Sequence, residues 1–326
     1  MSDRCCPIRG DVSTLSDGCW GPLDMIDSGR ERSSERTRRF PNRGLLTAVR
    51  CPFIASNSWL HSATVDLTTI TPLILTYNEE ANIDRTLGRL PWAERVVVVD
   101  SYSEDATIDI ATSYDNVDLV QREFDYFADQ CNYGLEQIDT EWVLSLDADY
   151  VCSEALIDEM RALPAIPTAD GFSVEFVYCV FGKPLRGTLY PPRTVLYRRE
   201  NAQYYRDGHG HRVRVDGTVG ELDAPIYHDD RKSLERWLDN QRGYARLEAE
   251  KLAEADDVGL MDRLRALTLA PPLVFLYCLF VQRLILDGKA GWYYTLQRTY
   301  AEVLLALRLL DDRLRQEADA ASSSCF

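Results

Sequence analysis

Two aspartates stand one residue apart after an apolar run, in the stretch LSLDADY (144–150). In the middle of a half-buried strand, Asp147 and Asp149 would both point toward a core, and burying two carboxylates without partners is costly. At the end of a strand, the two side chains can instead face one ligand. Carboxylate oxygens are the ligands that Mg²⁺ and Mn²⁺ prefer, so the pattern predicts a strand that ends at a cation site.

Acidic residues also follow two earlier apolar runs. The segment NEE (78–80) comes after ITPLILT (70–76), and Asp100 ends the run RVVVVD (95–100). In an open α/β sheet the carboxyl ends of the strands form the ligand crevice. Carboxylates at three such ends would build an acidic crevice suited to a nucleotide base and a divalent cation. An Asp-x-Asp pair taken alone is equally compatible with a solvated surface; its position after an apolar strand favours the site.

The elements that position these residues alternate between strand and helix. We predict strands over 70–76, 95–100, 117–120 and 141–149, and helices over 77–90, 101–114 after a turn, and 127–138. This alternation is typical of βαβ units around a parallel sheet. The runs 171–182 and 194–200 have apolar residues in alternation, which predicts antiparallel or mixed strands added to the parallel half.

The C-terminal part of the sequence has helical periodicity. We predict helices over 233–255, 269–286 and 292–310. The apolar run in 269–286 is shorter than the roughly 20 residues that a membrane-spanning helix needs. Segment 269–310 would therefore either lie on a membrane surface or simply pack on the preceding domain. Because the whole chain is acidic, we expect any membrane contact to depend on the apolar face.

Four regions are expected along the chain. They are a disordered N-terminal extension (1–64), an α/β domain (65–232), a C-terminal helical region (233–316) and a tail (317–326). Residues 1–64 mix Ser, Gly, Pro, Asp and Arg without periodicity, which is typical of disorder. An over-long start, with Met25 or a later codon as the true beginning, would explain the extension equally well.

Composition excludes some classes of protein. The chain has 52 acidic and 36 basic residues, a net charge of −16, which disfavours binding to nucleic-acid phosphates. Its nine cysteines form no Cys-x-x-Cys pair, so neither a zinc site nor a disulfide framework is expected. Reduced thiols and the lack of a secretory signal predict a protein that is either free in the cytoplasm or peripheral on the inner face of the cell membrane.

Three motifs carry a resemblance to a known family. TYNEEANIDRTL (76–87), VVVVDSYSEDATIDIA (96–111) and WVLSLDADY (142–150) resemble the donor-binding half of family-2 inverting glycosyltransferases. The resemblance is closest to enzymes of surface-glycan and lipopolysaccharide-core assembly. It implies a GT-A fold, a Rossmann-like mixed sheet with flanking helices. It also implies metal-dependent transfer of a sugar from a nucleoside diphosphate, UDP rather than GDP, to a hydroxyl of a glycan or lipid-linked acceptor.

The resemblance also implies roles for individual residues. The implied donor-binding residues are Thr76, Tyr77, Asn78, Glu79, Asp100, Ser101, Asn132, Asp147 and Arg212. Asp147 and Asp149 would hold Mg²⁺ or Mn²⁺ on the diphosphate, and His228 would complete the metal shell or contact the pyrophosphate. Alternatively, Tyr77 and Asn78 only shape a turn, and Asn132 only caps a helix.

The chain departs from the family pattern at several positions. Tyr102 and Ala106 stand where relatives usually have glycine, and Tyr150 stands where many have glutamate. Related enzymes often carry a His-Glu pair in the region that aligns with His211–Arg212, where this chain lacks the glutamate. An inverting transfer needs a base for the acceptor hydroxyl.

Two aspartates are candidates for that base. Asp207, in RDGHGH, is the first and Asp216 the second, with a solvated turn aspartate as the alternative for each. Arg212, Arg214 and Arg231 would neutralise the leaving diphosphate, or would pair with nearby surface acids.

Two other functions remain open from the sequence. A nucleotidyltransferase also uses an α/β sheet and paired aspartates, but that class favours a glycine-rich, basic loop after the first strand, and TYNEEAN is acidic and lacks glycine. A non-catalytic protein of the same fold that binds a nucleotide or a glycan is compatible with the missing His-Glu pair. Tight donor binding without turnover would identify it.

Overall fold

A computed structural model describes residues 64–207, 210–254 and 259–323. The predicted N-terminal extension, including Met25, lies almost entirely outside the described residues, as does His209. Of 206–212, only the backbone of the strand residues is described.

The strands form one large mixed sheet and one hairpin. In chain order they are β1 (Ile70–Thr76), β2 (Val96–Asp100), β3 (Val117–Gln121), β4 (Trp142–Asp147), β5 (Tyr150–Cys152), β6 (Gly171–Val180), β7 (Lys183–Pro184), β8 (Arg193–Arg198), β9 (Ala202–Asp207), β10 (Gly210–Val215) and β11 (Val219–His228). The large sheet has the order β3-β2-β1-β4-β8-β6-β11-β5, with β7 paired to β6. The β9–β10 hairpin stands apart from it.

The first half of the sheet is parallel, as predicted. Strands β3, β2, β1 and β4 pair in parallel, and all five residues of β2 are buried. Continuous burial is expected of a β-branched run that has helices on both faces of the sheet. The register pairs Thr76 with Asp100 and Leu75 with Asp147. The carboxyl ends of these strands therefore lie side by side.

The second half of the sheet is mixed and curls back toward the first. β8 pairs antiparallel with both β4 and β6, whereas β11 runs parallel to β6. β5 follows β4 in the chain but pairs with β11, at the far end of the strand order. Only Ala148 and Asp149 separate β4 from β5, a link that spans at most roughly 11 Å. The sheet must therefore curl until its two halves meet at this link.

Eight α-helices flank the sheets in the described part of the chain. They are α1 (Ile83–Leu87), α2 (Thr107–Thr112), α3 (Phe127–Glu136), α4 (Glu154–Ala162), α5 (Leu234–Glu254), α6 (Leu260–Ala266), α7 (Ala270–Leu276) and α8 (Lys289–Ser323). The helix predicted over 77–90 is wrong in its first half, because Asn78 has φ 54° and the chain turns there. Helix α8 continues as an exposed helix to Ser323, so most of the predicted tail (317–326) is helical.

The apolar C-terminal segment is broken into short helical pieces. Pro271 and Pro272 lie in the first turn of α7, where the missing N–H costs nothing. A π-helical turn (Tyr277–Val281) follows, and Arg283, at φ 59°, ends it before a 3₁₀ turn (Leu284–Asp287). No helix in the described ranges is long and apolar enough to cross a membrane.

Helix α3 packs so closely on β1 that one position requires glycine. A Cβ on Gly134 would lie 2.5 Å from Leu73 Cδ1 and 3.2 Å from Val99 Cγ2. We expect Gly134→Ala to lower the free energy of unfolding by about 1–3 kcal/mol, although alanine is the better helix former, because overpacking outweighs propensity. Urea titration of the wild type, Gly134→Ala and Gly134→Ala/Leu73→Val would check this. The second change should recover part of the loss, and a more stable Gly134→Ala would contradict the packing described.

Candidate active site

The functional side chains predicted from the strand ends meet at one edge of the sheet. Thr76, Asp100 and Asp147 come to this edge from the carboxyl ends of three adjacent parallel strands. Because β8 runs antiparallel to β4, its first residue, Arg193, lies at the same edge. His228 reaches it at the carboxyl end of β11, paired with Tyr150 across the ladder. We call this the crevice edge.

Asp149 and His228 form a buried pair at the crevice edge. His228 Nε2 lies 3.2 Å from Asp149 Oδ2, and the side chains are only 2% and 1% exposed. The rings of Tyr178 and Tyr190 lie 4.8 Å from the imidazole and hold it in place. Asp149 Oδ1 is also buried, but it accepts no hydrogen bond from the described residues. A buried carboxylate oxygen without a donor is costly, which marks it as a candidate ligand atom.

Asp147 faces a cation that the sequence analysis did not identify. Its carboxylate remains 13% exposed, and Arg193 Nη1 lies 3.9 Å from Asp147 Oδ2. Arg193 Nη1 also donates to the hydroxyl of Tyr150 at 3.2 Å, and its guanidinium stacks 4.9 Å from the centre of the Tyr190 ring. The signal in the sequence was an arginine directly before an apolar strand, in PPRTVLY (191–197). Such an arginine becomes informative only once β8 is known to run antiparallel.

Asp100 is enclosed by hydrogen bonds at the crevice edge. Its two carboxylate oxygens accept from Thr76 Oγ1 at 3.0 Å, Gln121 Nε2 at 3.1 Å, and both the backbone N–H and the hydroxyl of Ser103. A carboxylate has about four acceptor sites, so these donors fill them. Asp100 is fully buried. Its visible role is to join three strands and the loop after β2; contact with a base would require one of these donors to move.

The loop after β2 is pinned to the segment after β1. Asn78 N–H donates to Ser103 Oγ at 2.8 Å, and Asn78 Oδ1 accepts from the backbone N–H of Glu104 at 2.7 Å. Tyr102, where relatives have glycine, has φ 60° and is 55% exposed. A tyrosine in this left-handed region is strained, which explains why glycine is usual there. The larger residue leaves Asp100 in place.

Residues from the C-terminal region close over the segment after β1. Lys232 Nζ lies 3.0 Å from Glu79 Oε1, and the two side chains are 3% and 0% exposed. Arg236 donates to the carbonyl oxygens of Tyr77 and Asn78, each at 2.7 Å. Glu79 therefore anchors the helical region, and Tyr77 and Asn78 shape a turn that Arg236 holds. Neither Lys232 nor Arg236 could be identified from the sequence, because no local pattern indicates an ion pair between residues 79 and 232.

A family model describes most of the residues that build this edge. The model of glycosyl transferase family 2 matches residues 73–213, which include the end of β1, the segment after it, Asp100 and the Asp-x-Asp pair. Residues 73–213 thus carry a glycosyl transferase family 2 domain. This match confirms the resemblance that the three sequence motifs carry and makes the protein an enzyme, a glycosyltransferase with a GT-A type of sheet.

Curated relatives agree with this assignment. The chain is 27% identical over 239 residues to the lipopolysaccharide core biosynthesis glycosyltransferase LpsC of Rhizobium meliloti, covering 68% of this chain and 85% of the relative. It is 24% identical over 265 residues to an uncharacterized glycosyltransferase of Rickettsia prowazekii, covering 76% and 89%.

Solved structures show more distant similarity. The UDP complex of S. aureus TarS is 18% identical, with a TM-score of 0.36 over 64% of this chain and 71% of TarS. The glucosyl-3-phosphoglycerate synthase of Mycobacterium tuberculosis with Mn²⁺, UDP and its product is 16% identical, with a TM-score of 0.38 over 59% and 83%. TM-scores this low carry no argument about ligands, so the assignment rests on the family model and the curated relatives.

The described residues contain no preformed metal site. Among the described residues, no group of three or more His, Cys, Asp or Glu side chains is arranged to hold a metal, so Asp147, Asp149 and His228 do not form a ready three-ligand set. Mg²⁺ typically takes one or two carboxylates and completes its shell with phosphate oxygens and water. The exposed carboxylate of Asp147 and the orphaned Oδ1 of Asp149 fit that mode of binding.

Two predicted donor residues have hydrogen-bond partners within the protein. The side-chain amide of Asn132 both donates to and accepts from the backbone of Tyr204, at 3.0 Å each, and so fastens α3 to β9. It lies in the middle of the helix rather than capping it. Ser101 is buried and accepts a hydrogen bond from Gln130 Nε2 at 2.8 Å. For both residues, the contacts described lie within the protein.

The structure separates the two candidates for the catalytic base of the glycosyltransferase. Asp216 is 85% exposed beside Arg214, and its N–H donates to Asn201 at the edge opposite the crevice. It is therefore not brought to the site. Asp207 ends β9. This strand begins after Asn201 and passes Ser145 of β4, to which the Tyr204 hydroxyl donates at 2.8 Å, so it runs toward the crevice edge. Asp207 thus keeps its place as a candidate, although its side chain lies outside the described residues.

The three arginines predicted to bind phosphate lie in different parts of the structure. The backbone of Arg212 lies in β10, opposite Tyr205, and its side chain is outside the described residues, as is that of His211. Arg214 is beside Asp216, away from the crevice. Arg231 donates to Asp229 Oδ2 at 2.7 and 2.9 Å, which is the surface pairing considered as the alternative.

Buried phenols beside the site should make the enzyme sensitive to high pH. Burial raises the pKa of Tyr150 and Tyr190 far above that of a free tyrosine. The folded state therefore keeps protons that the unfolded state releases above about pH 10, so this stability is present below that pH and is lost as pH rises beyond it. We expect the free energy of unfolding, measured by urea titration, to fall between pH 10 and 11. Tyr190→Phe should reduce the slope of this free energy against pH by up to about 1.4 kcal/mol per pH unit. Identical slopes for both proteins would contradict the assignment.

Proposed function

We propose that this glycosyltransferase moves a sugar from a nucleoside-diphosphate donor, UDP rather than GDP, to a hydroxyl of a glycan or lipid-linked acceptor, with inversion. One observation carries the proposal. Within a family 2 domain, Asp147 and Asp149 lie at the crevice edge, and a buried oxygen of Asp149 has no donor in the described structure. The similarity to LpsC, which is named for lipopolysaccharide core biosynthesis, supports a lipid-linked acceptor.

Asp147 and Asp149 are the residues that would hold a divalent cation, with His228 behind them. When bound, Mg²⁺ or Mn²⁺ supplies positive charge to the diphosphate as it leaves. His228 orients Asp149 through its 3.2 Å contact, and the surrounding tyrosine rings keep water away from that contact. Arg193, 3.9 Å from Asp147, adds a fixed cation at the same edge and can contact phosphate oxygens there.

The transfer itself needs a base on the acceptor side. The acceptor oxygen forms a bond to the anomeric carbon while the bond from that carbon to the diphosphate oxygen breaks. The hydroxyl proton passes to a carboxylate, for which we propose Asp207, because β9 carries it toward the crevice edge. A carboxylate in this position takes the place of the glutamate that the chain lacks at Arg212.

Nucleotide-dependent thermal stabilisation tests the donor assignment. UDP, GDP, CMP and TDP would each be added with and without Mn²⁺ to the wild type and to Asp147→Asn/Asp149→Asn. A ligand at a hundred times its Kd should stabilise the folded state by about 2.7 kcal/mol, which gives a readable shift. We expect a Mn²⁺-dependent shift with UDP in the wild type alone. A shift with GDP instead would reassign the donor, and no shift with any nucleotide would overturn the proposal.

Turnover separates the transferase from a binding protein of the same fold. Release of UDP from UDP-sugars, with a lipid-linked acceptor or with water, would be measured for the wild type, Asp207→Asn and Asp216→Asn. We expect Asp207→Asn to abolish transfer to the acceptor and Asp216→Asn to retain wild-type rates, because Asp216 lies at the opposite edge. Donor binding without any turnover would favour a non-catalytic role.

We also propose a cytoplasmic location, which the free thiols of Cys131, Cys152, Cys179 and Cys278 support.

A further inference from the structure

An extended apolar surface lies on the C-terminal helices. Large apolar side chains on α7, the turns after it and the start of α8 are exposed. They are Leu269, Leu273, Leu276, Phe280, Val281, Ile285, Leu286, Trp292 and Leu296, and we call them the C-terminal apolar surface. Phe280 is 61% exposed and Leu286 is 63% exposed. Monomeric soluble proteins rarely expose so many contiguous apolar side chains without a partner.

These side chains share one face of the molecule. Leu269, Leu273, Leu276 and Phe280 recur at spacings of three and four, which places them along one side of a helical path. The underside of that path, Ala270, Val274 and Cys278, is buried in one cluster with Tyr294 of α8, and the ring of Phe275 lies 6.1 Å from that of Trp292. The exposed side chains of both elements therefore form a continuous surface.

The charge around this surface differs from that of the whole chain. Along residues 269–296, which carry this surface, there are two basic residues, Arg283 and Lys289, and one acidic residue, Asp287. That single acid is buried and paired with Arg186 at 3.1 Å. Arg283 and Lys289, in contrast, are exposed among the apolar side chains. A chain of net charge −16 thus carries a locally positive apolar face.

We propose that the C-terminal apolar surface docks on an anionic lipid bilayer. Apolar side chains and a tryptophan at headgroup level, flanked by basic residues, are the features of a surface-bound helix. The basic residues also argue against a second copy of the chain, because two such faces would repel each other. The local charge of this face is therefore opposite in sign to the net charge of the chain.

The surface continues to the mouth of the active site. Phe181 follows β6 at the crevice edge, is 66% exposed, and has its ring 5.9 Å from that of Tyr293 on α8. Tyr178 contacts both His228 and Tyr294, with ring centroids 4.8 and 4.7 Å apart. A bilayer against the C-terminal apolar surface would therefore lie beside the crevice, where the head of a lipid-linked acceptor would enter it.

Vesicle flotation of the full chain tests this inference. The protein would be mixed with vesicles of phosphatidylcholine alone, or of phosphatidylcholine with three-tenths phosphatidylglycerol, at low and at high salt. We expect flotation with the anionic vesicles, weakened by salt. Phe280→Gln/Leu286→Gln should reduce the partition coefficient by roughly tenfold or more, and Arg283→Asn/Lys289→Gln by about fivefold for each charge removed.

Ile166→Gln is the matched control, because Ile166 is an apolar side chain, 83% exposed, outside this surface. It should float like the wild type, and thermal shifts with UDP should be the same in all variants. Loss of flotation in Ile166→Gln, or no flotation of the wild type with either vesicle, would overturn the inference. So would a dimer in light scattering that Phe280→Gln/Leu286→Gln dissociates, since the surface would then bind a second copy.

Discussion

Asp149→Asn is expected to lower kcat/KM for sugar transfer by roughly a thousandfold, the loss that follows when a cation site worth several kcal/mol is disabled. The same change should leave the free energy of unfolding unchanged or raise it by about 1 kcal/mol. Asparagine keeps the shape of the side chain and an oxygen for His228, 3.2 Å away. It also removes the charge from a site where one carboxylate oxygen has no donor among the described residues.

A substitution that lowers kcat/KM but does not lower the free energy of unfolding identifies a residue that serves function rather than stability. A purely structural Asp149–His228 pair would behave differently, because neutralising one member would then destabilise the fold. Steady-state kinetics and urea titration of the wild type, Asp149→Asn and Asp216→Asn would distinguish the two cases. Asp216→Asn, a carboxylate that is 85% exposed, should match the wild type in both measurements. Full activity of Asp149→Asn would remove the cation site from the mechanism.

Lys232→Met is expected to lower the free energy of unfolding by about 3–5 kcal/mol, because it leaves the buried carboxylate of Glu79 without its cation. The two side chains are 3% and 0% exposed, and Asn82 Nδ2 also donates to Glu79 Oε2 at 2.8 Å. The change also removes the 3.3 Å contact of Lys232 with Asp230. The loss should appear as a lower urea midpoint.

A second substitution separates the ion pair from packing. In Glu79→Gln/Lys232→Met no buried charge remains at position 79, so we expect roughly half of the lost stability to return. Arg242→Met is the surface control, since Arg242 and Asp239 are 69% and 59% exposed and such pairs contribute about 0–1 kcal/mol. Equal losses in Lys232→Met and Arg242→Met would show that burial of the Glu79 pair has no energetic consequence.

The parallel half of the fold follows from sequence pattern alone. Runs such as VVVVD are β-branched throughout, and the strand predicted there agrees with β2 (Val96–Asp100). The position of Asp147 and Asp149 at a strand end also follows, because an apolar run cannot continue through two buried carboxylates without cost. Asp100 was predicted at the same edge for the same reason.

The rest of the site depends on contacts between distant parts of the chain. His228 meets Asp149 only because β11 pairs with β5. Lys232 meets Glu79 only because the chain after β11 returns to the segment after β1, where Arg236 of α5 also binds. No local period encodes such pairings, since they are selected by tertiary packing. The hydrogen bonds of the Asn132 side chain also depend on such a distant pairing. Its partner, the backbone of Tyr204, is 72 residues away.

The two-residue link between β4 and β5 also limits where the chain can be divided when chimeras are made with related enzymes. Because β4 belongs to the parallel half and β5 pairs with β11, the link at Ala148 and Asp149 ties both halves of the sheet together at the site itself. A fragment that ends after α4 would carry β5 without its pairing strand, and a fragment that begins there would lack both aspartates. Chimeras with related enzymes should therefore exchange the whole segment from β1 to β11, because a junction near residue 160 would leave neither parent's site intact.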